Sequence, residues 1–96
     1  MEYIHGKDRL LPRVSSVEVR PDYHLLLTFR NGEKRLFDVS ELLNLPAYRS
    51  IKNVFSSVRV VYGTVVWPGD VDISPETLYL RSVPADSLGT LNQNLV

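Results

Sequence analysis

Apolar and polar residues alternate through the first half of the chain, the period then lengthens, and alternation returns before a final short helical signal. VSSVEVR (14–20) carries Val17 and Val19 two positions apart, the spacing of a half-buried strand. Pro21-Asp22 punctuates it as a turn. YHLLLTF (23–29) puts Tyr23, Leu25, Leu27 and Phe29 on one face and His24, Leu26 and Thr28 on the other. Asn31-Gly32 follows between two apolar runs, and both residues tolerate positive φ, which marks a β-hairpin. Two registers compete. A two-residue loop pairs Arg30 with Glu33 and brings Leu36 to the Leu25/Leu27/Phe29 face. A three-residue loop with a Gly bulge pairs Phe29 with Glu33 and brings Phe37 and Val39 there instead. A slip of one residue flips every side chain. The second register is preferred, because it gathers Tyr23, Leu25, Leu27, Phe29, Phe37 and Val39 on one face.

Beyond this strand the pattern turns helical. Asp38 is a good N-cap with Glu41 three residues on, as in a capping box, and Ser40 competes for the role. SELLNL (40–45) predicts a helix of about two turns that Pro46 stops. AYRSIKNVF (47–55) sets Tyr48, Ile51 and Phe55 at helical spacing. SVRVVYGTVVWPG (57–69) reads as a second hairpin that turns at Gly63-Thr64, and Pro68 ends its return strand. After a corner, Ser74-Pro75-Glu76 starts a brief helix over about 75–80: Ser caps, Pro takes the first helical position, and Glu meets the positive end of the dipole. The reading is one α+β domain over 14–83, a mostly antiparallel sheet of two hairpin units (β-β-β-α-β-β-α) with short helices on one face. Residues 1–13 form an arm or short strand, and 84–96 a weakly patterned tail.

Composition narrows the function classes. Ninety-six residues make one domain, burying roughly 60–65% of the unfolded surface, too little for a core plus a deep catalytic cleft. Lys+Arg and Asp+Glu are 11 each, so the cation surplus that a sequence-independent nucleic-acid binder needs is missing. Arg30, Lys34 and Arg35 cluster at the hairpin tip, but Glu33 sits among them, and a solvated tip is the ordinary reading. With no cysteine, disulfides and thiolate chemistry are excluded. No apolar run approaches the roughly 20 residues of a membrane span, and the N-terminus lacks a signal-peptide core. The default is a soluble cytoplasmic protein away from membranes.

Candidate chemistry is sparse. Asp70, Asp72 and Ser74 resemble the start of a calcium loop, but its sixth and twelfth positions would be Pro75 and Arg81 rather than Gly and Glu. No metal or cofactor is expected. Asp70 reads as a turn residue and Asp72 as an acceptor of backbone N–H bonds ahead of the helix. His5 and His24 stand in no local motif with an acid, and no nucleophile elbow or phosphate loop is present. Trp67, Tyr62 and Tyr79 could stack on a base or peptide, although aromatics in so small a domain more often fill the core.

The segments VSSVEVRPDYHLLLTF (14–29), TFRNGEKRLFDVSELL (28–43) and GTVVWPGDVDISPETLY (63–79), in this order, resemble a small bacterial family known as domain of unknown function 2442. The resemblance covers about 14–83 and implies an α+β fold with no activity attached. In some relatives the domain precedes a helix-turn-helix, for which the 13 residues after position 83 are too few. Others look to be encoded beside a second small family, in pairs like toxin and antitoxin. Many relatives write Trp-Pro-Asn-Gly-Ala-Asp where this chain has Trp67-Pro68-Gly69-Asp70-Val71-Asp72. Asp72 therefore matches the pattern, and Asp70 stands where Gly is common.

These readings converge on a non-catalytic protein-interaction module whose partner is another small protein, with a homodimer as an accompanying expectation. The candidate surface is Trp67, Asp70, Asp72, Tyr79, Arg30, Lys34 and Arg35. The alternatives are a nucleic-acid regulator using the basic tip, which the charge balance disfavours, and an enzyme with a convergent site built on His24 or Asp72.

Overall fold

The computed structural model describes residues 11–85. His5, with the rest of 1–10, and the tail from 86 onward lie outside the described residues. β1 (Val14–Arg20), β2 (His24–Phe29) and β3 (Lys34–Asp38) form the expected antiparallel meander. Leu25 faces Phe37 and Leu27 faces Arg35 across β2 and β3. The Phe29 N–H bonds the Glu33 carbonyl at 2.8 Å, and the Gly32 N–H returns to the Phe29 carbonyl at 2.9 Å. This is the three-residue loop, with Gly32 at φ +92°. Asn31 Oδ1 accepts the Glu33 N–H at 3.0 Å and fixes the turn from within.

The connection that follows is less helical than its sequence predicts. Asp38 Oδ1 accepts from the Ser40 N–H (2.9 Å) and hydroxyl (2.6 Å), so it does open the turn. Glu41 makes no capping box; it reaches Arg81 at 3.5 Å. In place of a two-turn helix there are two 3₁₀ turns, Leu42–Asn44 and Pro46–Tyr48. Pro46 forces Leu45 into an extended conformation (ψ 136°) before a second hydrogen-bonded turn can add on. A single α-turn, α1 (Ile51–Val54), and a 3₁₀ turn, Phe55–Ser57, then bury Ile51 and Phe55 at the predicted spacing.

The second hairpin does not extend the first sheet. β4 (Arg59–Val61), β5 (Thr64–Trp67) and a further strand, β6 (Val71–Ile73), make a three-stranded sheet of their own. β6 occupies what the sequence presented as a corner: Gly69 (φ +94°) and Asp70 (φ +62°) turn the chain back so that Trp67 faces Val71. The β4–β5 turn falls at Tyr62-Gly63, one residue earlier than expected, with φ of +51° and +80°. α2 (Pro75–Leu80) starts as predicted, with Ser74 Oγ accepting the Thr77 N–H at 3.2 Å. A two-residue strand, β7 (Val83–Pro84), then closes the first sheet against β3, giving the order β1-β2-β3-β7.

One core joins these pieces. Val14, Leu25, Leu27, Phe29, Phe37 and Val39 come from the larger sheet, Val65, Trp67 and Ile73 from the smaller, and Ile51, Phe55 and Leu78 from the helical turns. The other face of the larger sheet carries Glu18, Arg20, His24, Leu26, Lys34 and Leu36, all half-buried or exposed. No helix among the described residues is long and apolar enough to cross a membrane.

Candidate functional site

The most connected group of polar side chains lies where α2 meets the β2–β3 turn. The three-residue loop puts Glu33 and Arg35 on the same face as Phe29 and Leu27, the side on which α2 packs. Tyr79 on α2 meets the Phe29 ring edge-on, centroids 5.1 Å apart, and donates its hydroxyl to Glu33 Oε1 at 2.5 Å. Asn31 Nδ2 donates to the same oxygen at 2.7 Å, and Arg35 Nη1 stands 3.5 Å from Oε2. The Arg35 guanidinium lies 4.6 Å over the Tyr79 ring. Its Nε donates to Ser82 Oγ (2.7 Å) and its Nη2 to the Ser82 carbonyl (2.8 Å), while Ser82 Oγ donates to the Tyr79 carbonyl (3.0 Å). Five side chains thus tie the turn, α2 and the start of β7 into one latch.

The electrostatics suit a latch. The Tyr79 hydroxyl, then the Asn31 amide and the Arg35 charge, hold the Glu33 carboxyl below its ordinary value. The same bond to Glu33 pushes the Tyr79 phenol above its own. A general base or acid working near neutral pH needs the opposite shifts, a carboxyl raised or a phenol lowered. Glu33 and Tyr79 instead stay firmly in their usual charge states.

The preferred register also makes His24 the cross-strand neighbour of Asp38, a pairing that no local motif announced. His24 Nε2 stands 3.8 Å from Asp38 Oδ2, while Nδ1 lies 3.2 and 3.1 Å from the carbonyls of Pro21 and Asp22. Burial acts to raise Asp38, but the two bonds from Ser40 and the nearby His24 outweigh it and hold the carboxyl low. Serine, aspartate and histidine meet here in an order unsuited to nucleophilic catalysis. The Ser40 hydroxyl is bonded to one carboxylate oxygen and the His24 imidazole faces the other, so His24 is not placed to take the serine proton.

A family model described as Protein of unknown function (DUF2442) matches residues 14–84. The chain belongs to this family. The match runs from the first residue of β1 to the last of β7 and so takes in both sheets and the whole latch. No curated protein and no solved structure matches the chain.

The family assignment adds no chemistry to the residues singled out by sequence, and the structure scatters them. Trp67 is fully buried: its Nε1 donates to the Phe55 carbonyl at 3.0 Å and its ring stacks on Phe55. As a contact surface it is corrected to core. Tyr62, its supposed stacking companion, is 92% exposed, and Tyr79 is half-buried in the latch, so the three aromatics form no platform. Arg35 leaves the basic tip, its side chain only 15% exposed and bound to Glu33 and Ser82. Lys34 sits on the opposite face, donating to Thr28 Oγ1 at 3.1 Å, beside an exposed Arg30. Asp70 is the turn residue expected. Its φ of +62° is a left-handed conformation that glycine adopts without a Cβ penalty. Asp72 is exposed on β6 opposite Val66 rather than poised ahead of the helix. Among the described residues no three His, Asp or Glu side chains gather as a metal site would need.

Proposed function

We propose that the chain is a small non-catalytic protein-interaction module, the antitoxin-like or regulatory half of a two-gene pair, with Tyr62 as a contact residue. Tyr62 is the observation that carries this reading. It occupies a left-handed position at a two-residue hairpin tip, φ +51°, where Asn or Gly is the favoured residue. A side chain held there costs roughly 1–2 kcal/mol, and this one buries almost nothing in return. Strain kept without folding benefit points to use elsewhere, and exposed tyrosines are common anchors of protein interfaces. The latch supports the same reading, since its polar groups are already engaged with one another.

The test is co-expression with the product of the neighbouring gene, followed by co-purification. A stable complex is expected with the natural sequence. Tyr62→Asn should raise stability by about 1 kcal/mol by relieving the left-handed strain, while weakening the complex at least tenfold. Failure to co-purify, or a complex indifferent to Tyr62→Asn, would count against the assignment.

A further inference from the structure

We infer that the outer edge of β1 is an interface with a second copy of this chain, paired antiparallel about a two-fold axis at Val19. The inference extends the interaction reading to another surface and is read out without the gene partner. Among the described residues β1 ends its sheet, with no strand paired along its outer edge; the β4–β5 hairpin approaches only as a separate sheet, its Gly63 carbonyl taking the Val14 N–H. The hydrogen bonds from Phe29 to Glu33 and from Val39 to Tyr23 show that the odd-numbered residues of β2 point their backbone groups toward β3. His24, Leu26 and Thr28 therefore bond toward β1, through their partners Arg20, Glu18 and Ser16. It follows that Val17 and Val19 direct their N–H and C=O groups outward, toward a missing neighbour. Val19 also leaves 37% of its surface exposed.

Side chains select one register. A two-fold axis at Val19 sets Glu18 against Arg20 of the second copy, and Arg20 against its Glu18, while the two Val19 residues exchange their outward N–H···O=C bonds; Val17 then faces Pro21 of the second copy, which can accept its N–H but has none to return. An axis at Glu18 would oppose two carboxylates, and one at Arg20 two guanidiniums. An axis at Val17 would run the copy over Val14, whose N–H is already taken by the Gly63 carbonyl at 2.8 Å. An axis between two residues would set outward groups against inward ones. Within one copy Glu18 and Arg20 already lie 3.0 Å apart, both well exposed, so pairing merges two such couples into an alternating square of charge. Exposed pairs add little affinity; here they fix the alignment.

Sedimentation of the full chain over a wide concentration range tests this. The mass should climb from one copy toward two. Glu18→Arg should hold it at one copy by setting cation against cation, and the exchange Glu18→Arg with Arg20→Glu should restore two. Val19→Pro should also keep it at one copy, because it removes an outward N–H and leaves the ladder to β2 intact; circular dichroism checks that it folds. A natural chain that stays at one copy throughout, or a pair unaffected by Glu18→Arg, overturns the inference. A single copy that still co-purifies with the gene partner overturns only this inference; a pair that captures no partner overturns only the proposed function.

Discussion

The indole of Trp67 and the carbonyl of Phe55 meet where the smaller sheet packs on the helical turns, so one residue seals the core and satisfies a backbone acceptor. Trp67→Phe keeps an aromatic ring but leaves that carbonyl with only a long bond, 3.4 Å, from the Val58 N–H. We expect a loss of about 1–3 kcal/mol from the weakened acceptor and the unfilled volume, read as a lower urea midpoint at unchanged slope; a shift near zero would remove the bond from the account. Two glycines separate backbone strain from crowding. Gly32 has φ +92° with open space where a Cβ would go, whereas a Cβ on Gly63 would stand 2.7 and 2.8 Å from Arg13 Cδ and Cβ. Gly32→Ala should cost about 1–2 kcal/mol, the left-handed penalty alone. Gly63→Ala should cost more, because the Arg13 stem and the Val14–Gly63 hydrogen bond beside it must shift. Equal losses in denaturant titrations would mean that Arg13 gives way freely.

At the scale of elements, what the sequence revealed depended on how local the deciding signal was. The β2–β3 register was legible because a single slip would have traded Phe37 and Val39 for Leu36 on the buried face. The α2 start was legible because Ser74, Pro75 and Glu76 each do a separate job within one turn. Ser74→Ala should therefore cost about 1 kcal/mol, measured by thermal melting, and Ser74→Asp should recover most of it; no loss would show that Pro75 alone holds the turn. β6 and β7 were not legible. Three residues and two residues carry no period, and both strands exist because a partner already stands in place: β5 for Val71–Ile73, β3 for Val83–Pro84. The latch was hidden for the same reason. Glu33 and Tyr79 are 46 positions apart, and only packing α2 on the Phe29 side of the sheet brings them together. The charges around Asn31-Gly32 read as a solvated tip, yet the very register that sequence favoured turns Arg35 inward.

For the whole molecule the latch and the Asp38–Ser40 turn both contribute to how stability varies with pH. Glu33 and Asp38 are held below their ordinary values of 4.5 and 3.8. Their contributions are complete above those values and fade as pH falls toward and through the lower folded values, because the unfolded chain takes up these protons more readily than the folded one. Tyr79 is held above its ordinary 10.0, so its contribution is complete below that pH and is lost as pH rises through the higher folded value. Stability should form a plateau between these limits, with an acid shoulder and an alkaline one. Tyr79→Phe separates the two. It removes the titrating phenol, so the alkaline shoulder due to this group should vanish. It also removes the leading donor to Glu33, so the acid shoulder should shrink without disappearing, because Asn31 and Arg35 still hold Glu33 and Ser40 still holds Asp38. Glu33→Gln should leave an acid shoulder set by Asp38 and return Tyr79 toward its ordinary titration, which ultraviolet absorbance follows directly. A phenol that titrates identically with and without Glu33 would show that the bond between them does not persist in solution, and that α2 is held to the sheet by the Phe29–Tyr79 contact and the core alone.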